Sequence, residues 1–81
     1  MYSVYVLKSR AKNYLYVGLT NNIARRFKEH NQGYSKITKP YRPLDLVYSE
    51  KCGDRLEARK REKYLKSGCG KEWIKGKLQS A

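Results

Sequence analysis

Residues 14–30 read YLYVGLTNNIARRFKEH. An apolar, β-forming run from Tyr14 to Leu19 leads into Thr20, Asn21 and Asn22, whose side chains offer N-cap oxygens. The spacing that follows predicts an amphipathic helix from about residue 21 to His30 or Asn31, with Gly33 as its natural C-terminal cap. On a period of ~3.6 residues, Ile23, Phe27 and His30 fall along one line, and Arg26 sits one turn before His30 at the edge of that face. Arg25 points the opposite way, toward solvent. An arginine and the only histidine of the chain therefore stand beside a buried stripe. There they are either packed structural hydrogen-bonding groups or a site.

Upstream, residues 2–8 (YSVYVLK) are rich in β-branched and aromatic types, and the polar Lys8–Asn13 segment has hairpin length. Two antiparallel strands are expected. Tyr2, Val4 and Val6 would share one face of the first, with Ser3, Tyr5 and Leu7 on the other. In the second, Tyr14, Tyr16 and Gly18 oppose Leu15, Val17 and Leu19.

Downstream, residues 34–43 (YSKITKPYRP) are the least periodic stretch and form a basic loop. Lys36, Lys39 and Arg42 suit phosphate and sugar contacts, and Tyr34 and Tyr41 suit base stacking. Equally, the loop could be a rigid crossover whose tyrosines plug the core edge. A third strand is expected over residues 44–50, with Leu44, Leu46 and Tyr48 on one face and Asp45 and Val47 on the other. Asp54 caps a second helix, expected to run to about Ser67 before Gly68 stops it. Along it Ala58 and Leu65 align with Glu62 between them, while Lys60 and Lys63 face away. A carboxylate in line with a packing face is costly unless a cation, a hydrogen bond or a metal compensates it. Residues 70–78 suggest a last short helix anchored by Trp73, Ile74 and Leu78, and residues 79–81 a tail.

Eighty-one residues without repeats make one domain, 1–81. Nineteen Lys and Arg against seven Asp and Glu give a formal net charge of +12. Such an excess attracts polyanions, which puts nucleic acid first among partners. The first residues already alternate like a strand, so no leader peptide is expected, and no run approaches the ~20 apolar residues of a membrane span. Cys52 and Cys69, with one histidine in the chain, make neither a zinc constellation nor a disulfide framework. Free thiols in a reducing cytoplasm are the expectation.

Ser3-Val4-Tyr5, Tyr16-Val17-Gly18, Arg26, His30 and Glu62 together resemble the GIY-YIG nuclease family, in particular its small stand-alone bacterial members. Ten residues separate the two triplet tyrosines, an arginine follows the glycine by eight, and a histidine follows four later. The similarity spans nearly the whole chain. Ser3 stands where the family has its first glycine, Val17 replaces isoleucine, and no asparagine follows Asn31 to match the one its larger repair enzymes use.

The resemblance implies an α/β (α+β) domain in the order β-β-α-β-α-α, with a three-stranded antiparallel sheet flanked by helices. It also implies a metal-dependent endonuclease acting on DNA, RNA being possible, structure-selective and linked to repair or recombination. By position, Tyr5 and Tyr16 become the paired catalytic tyrosines, Arg26 the ligand of the scissile phosphate, and Glu62 the ligand of one Mg²⁺ or Mn²⁺. Tyr5, Tyr16 and His30 all remain open as general base. Without the resemblance, Arg26 and Glu62 read as an ion pair tying two helices together. The charge is equally compatible with a non-cutting nucleic-acid-binding module or a basic subunit of a repair assembly.

Overall fold

The computed structural model describes residues 1–79; residues 80–81 of the expected tail lie outside the described residues. Strands β1 (Tyr2–Ser9), β2 (Leu15–Thr20) and β3 (Leu44–Cys52) form an antiparallel sheet in the order β2-β1-β3. Helix α1 (Ile23–Asn31) lies between β2 and β3 in the chain, and α2 (Arg55–Lys66) and α3 (Gly68–Gln79) complete the expected β-β-α-β-α-α order. The described residues contain no helix long and apolar enough to cross a membrane, and both cysteines are free thiols.

The alternation read in β1 is observed, and both of its faces are buried because the strand is central. Val4 and Val6 pack with Val17, Ala58, Leu65 and Ile74 beneath α2 and α3. Tyr5 and Leu7 pack with Leu44, joined by Tyr16, Ile23, Phe27 and Tyr41, on the α1 side. Hydrophobic burial on two faces explains a strand with few polar residues.

In β3 the expected alternation fails. Val6 pairs with Tyr48 but Leu7 pairs with Leu46, so Val47 is an extra residue in the ladder. This bulge reverses the facing of everything beyond it. Leu44 belongs to the α1-side cluster, whereas Tyr48 joins the opposite one, against Trp73 with ring centroids 5.5 Å apart.

The helix ends follow their caps. Asn22 accepts the backbone N–H of Arg25 at 3.1 Å. At the other end Gly33 N–H donates to His30 O and Tyr34 N–H to Glu29 O, both at 3.1 Å, with Gly33 at φ +86°. That is a Schellman closure, which requires the left-handed residue glycine supplies. Asp54 accepts from Glu57 N–H at 2.8 Å and starts α2.

The second helix ends where expected, but Gly68 is not what stops it. Ser67, in extended conformation, ends α2, and its Oγ accepts Gly70 N–H at 3.2 Å, so it also caps α3. Gly68 begins α3 instead of terminating α2, and Gln79 is the last residue of α3 instead of the start of a tail.

Candidate active site

The site grows from the β1–β2 register. Tyr5 lies directly opposite Gly18. A Cβ at position 18 would sit 2.6 Å from the Tyr5 hydroxyl oxygen and 2.9 Å from Cε2 of Tyr16. The glycine is therefore the space through which the Tyr5 phenol crosses β2 toward α1. The Tyr5 and Tyr16 ring centroids are 6.2 Å apart, and the imidazole of His30 lies 5.8 Å from the first and 5.0 Å from the second.

His30 comes to this point because it closes the apolar line Ile23–Phe27–His30 of α1, and its side chain is fully buried. Both ring nitrogens are satisfied: Nε2 lies 2.8 Å from Tyr5 Oη, and Nδ1 lies 2.8 Å from Thr38 Oγ1. Burial first, and the neighbouring Arg26 guanidinium second, lower the His30 pKa to about 4. The ring is thus neutral near pH 7, with one N–H and one lone pair. Hydroxyls both donate and accept, so each tautomer can be satisfied. Burial, and then Tyr16, push the Tyr5 phenol well above its ordinary value, while Arg26 pulls against them. Tyr5 rests as a neutral phenol.

Arg26, one turn before His30, holds its Nη1 3.1 Å from Glu29 Oε1 and remains about one-third exposed. Tyr5, Tyr16, Arg26 and His30 thus assemble on the α1 side of the sheet.

Glu62 makes no hydrogen bond or ion pair with any of these four. Its carboxylate pairs with Lys66 at 3.5 Å. The Arg26–Glu62 pair considered from sequence is therefore not formed, each residue finding its counter-ion within its own helix. Lys66 in turn lines a cleft of about 300 Å³ with Tyr16, Val17 and Lys71. Tyr16 and Val17 project from opposite faces of β2, so this cleft wraps the outer edge of that strand. Among the described residues no three His, Cys, Asp or Glu side chains cluster as metal ligands.

The basic loop divides. Tyr34, Lys36 and Lys39 are exposed. Arg42 is exposed too, with its Nε donating to Lys39 O at 3.0 Å. Tyr41 is half-buried and stacks on Tyr14 at 3.8 Å and 9°, so one of its faces is already covered.

Two contributors went unnoticed in the sequence. Thr38 lies in an aperiodic loop, and nothing in its neighbourhood marks it as fully buried. Glu29 is an ordinary helix-surface residue until Arg26 is seen to need a counter-ion. The demand for glycine at position 18 was accessible from the hairpin, since the alternation of both strands places Tyr5 and Gly18 on the same side.

A family model for the GIY-YIG catalytic domain matches residues 1–74. The chain is similar to UPF0213 proteins of several bacteria. With that of Desulfotalea psychrophila it shares 48% identity over 65 residues, covering 78% of this chain and 58% of the relative. For Clostridium perfringens the identity is 44%, covering 78% and 68%, and for Staphylococcus haemolyticus it is 42%, covering 79% and 78%. The matched region is thus little more than half of the first relative's length, and these names state no activity. No solved structure matches the chain. The domain match and the sheet order agree: this chain belongs to the GIY-YIG family.

Proposed function

We propose that the protein is a metal-dependent endonuclease that hydrolyses phosphodiester bonds in DNA. Membership of the family makes this a nuclease-type domain, for which nucleic acid is the substrate. The observation that carries the finer reading is the buried Tyr5–His30 hydrogen bond with the Arg26 guanidinium beside it.

A phosphodiester needs a deprotonated water, charge compensation at phosphorus and a stabilised leaving oxygen. A buried phenol alone is a poor base at neutral pH. The Arg26 guanidinium and a bound metal would lower the Tyr5 phenol toward that range, so that Tyr5 Oη takes the proton of the attacking water, while the imidazole of His30, held uncharged by burial, orients the phenol through Nε2. Thr38, bonded to Nδ1, fixes the orientation of that ring. Arg26 exchanges Glu29 for the scissile phosphate, which its planar fork suits. Tyr16 orders the water beside the two rings.

Glu62 is the metal ligand in this reading. A lone, mostly buried carboxylate fits a hard cation such as Mg²⁺ or Mn²⁺ that keeps most of its waters, and it does not fit zinc. Such an ion, when bound, supplies Lewis-acid stabilisation of charge at the phosphate and leaving oxygen. Lys36, Lys39, Arg42 and Tyr34 then contact the substrate beyond the site, whereas the Tyr41 ring is already engaged by Tyr14 and by Lys12. A domain of this size has little surface for reading bases, which favours selection of DNA structure and a role in repair or recombination.

The test is cleavage of labelled single-stranded, duplex, flap and branched DNA in Mg²⁺, in Mn²⁺ and in EDTA, with Arg26→Ala and Glu62→Gln beside wild type. Metal-dependent cutting lost in both variants is the expected result. Binding without cutting under either metal would replace this reading with that of a non-cutting binding module.

A further inference from the structure

Arg26 has a second environment. Besides meeting Tyr5 and His30, it forms one wall of a separate cleft of about 370 Å³ at the end of the sheet where β1 begins and β2 ends. Thr20 and Asn21 contribute polar groups there, and Arg25 from α1 and Arg55 from α2 complete the wall. The only carboxylate in the lining belongs to Glu29, which serves Arg26 at 3.1 Å and Arg25 at 3.9 Å. Two of the three guanidiniums therefore share one counter-ion, and the third has none in the lining. The Arg55 side chain makes no hydrogen bond or ion pair among the described residues.

These charges are placed against the local field. Arg25 and Arg26 lie in the first turn of α1, which holds no acidic residue, and Arg55 is the first residue of α2, between Asp54 and Glu57. Cations at the positive end of a helix are disfavoured by the macrodipole and by one another. An anion seated in the cleft relieves both. The volume lies at the lower end of the ~300–1,000 Å³ of small-ligand clefts, a size that suits one nucleotide unit.

We infer that this cleft seats the phosphodiester next to the scissile one, so that the substrate strand passes from Arg26 to Arg25 and Arg55. The inference rests on the proposed role of Arg26 at the scissile phosphate. The seat recognises the backbone and is indifferent to base identity, since guanidiniums on phosphate oxygens carry no sequence information.

The experiment is a salt titration of labelled DNA binding in EDTA, where no cutting is needed for the readout. Wild type, Arg25→Gln and Arg55→Gln are compared with Lys60→Gln, which removes an equal charge from the exposed side of α2. Thermal melts accompany each variant; Arg55, lacking partners, should leave the fold unchanged. Each arginine variant is expected to weaken binding several-fold. Each should also reduce the slope of log Kd against log salt by ~0.7 on single strands or ~0.9 on duplex. Changes no larger than those of Lys60→Gln would overturn the seat. Replacing chloride by phosphate at equal ionic strength should weaken DNA binding by wild type more than by Arg55→Gln, since inorganic phosphate competes for the same guanidiniums; an equal loss in both would overturn the inference. Absence of cutting together with the expected slopes would sink the nuclease reading while leaving a backbone seat. Cutting with unchanged slopes would sink the seat alone.

Discussion

The Nε2 atom of His30 lies 2.8 Å from the Tyr5 hydroxyl, inside the protein, although 25 residues separate the two in the chain. One residue sits on the central strand and the other on the last turn of α1. Their bond ties the helix to the sheet at the point where the proposed chemistry occurs. Disturbing either partner therefore reaches stability and activity together.

The imidazole links the fold to pH. In the folded protein His30 titrates at about 4, against 6.5 for the unperturbed group. Between those values the unfolded chain binds more protons, so stability rises with pH across that window. The contribution is complete above about pH 6.5, falls as the pH drops toward about 4, and is gone below that. Its upper bound is about 3 kcal/mol. Urea denaturation of wild type and His30→Gln from about pH 7.5 to about pH 4 reads it directly. A wild-type slope retained in His30→Gln would assign the effect to another group.

Thr38→Val removes the partner of Nδ1 while keeping the shape of the side chain. A buried donor or acceptor left unmatched costs about 1–3 kcal/mol. Thr38→Ser keeps the hydroxyl and should lose less stability and less cleavage activity. Melting temperatures and single-turnover cleavage of the two variants, taken side by side, check the order.

Gly18→Ala places a methyl group against the Tyr5 hydroxyl and the Tyr16 ring. Overpacking of this kind costs about 1–3 kcal/mol. Because the displaced atom is the hydroxyl that bonds His30, cutting should fall further than stability at a temperature where the variant remains folded. Cleavage and circular dichroism at one temperature separate the two losses.

Gly70 and Gly76 lie in the same helix and should respond in opposite directions. A Cβ at position 70 runs into the backbone of Tyr64 and Leu65, whereas one at position 76 meets nothing within 4 Å. Gly70→Ala forces α3 off α2 and should cost about 3 kcal/mol or more. Gly76→Ala should stabilise by about 0.5–1 kcal/mol through the helix propensity of alanine. Denaturant titration gives both signs.

Local grammar made much of the architecture legible. The hairpin, the Asn22 and Asp54 caps and the Gly33 closure depend on residues within a turn of one another. The line Ile23–Phe27–His30 depends only on helix geometry, and the helix delivered His30 to the core as its spacing required. The triplets carrying Tyr5, Tyr16 and Gly18 were enough to indicate the family. The excess of lysine and arginine indicated a polyanionic partner without saying where it binds.

What remained hidden depends on residues distant in sequence. The extra residue at Val47 follows from pairing β3 with β1, and it turns Tyr48 to the face opposite Leu44. Thr38 is buried because the loop folds over His30, an event no local period records. Arg26 chose Glu29, and Glu62 chose Lys66, because counter-ions one turn away on the same helix lie closest. Composition and spacing thus determined which elements form, which faces of β1 and α1 turn inward and how strongly the surface is charged. Only packing decided which buried polar atoms meet, because a hydrogen bond depends on tenths of an ångström between groups that the chain brings together from afar.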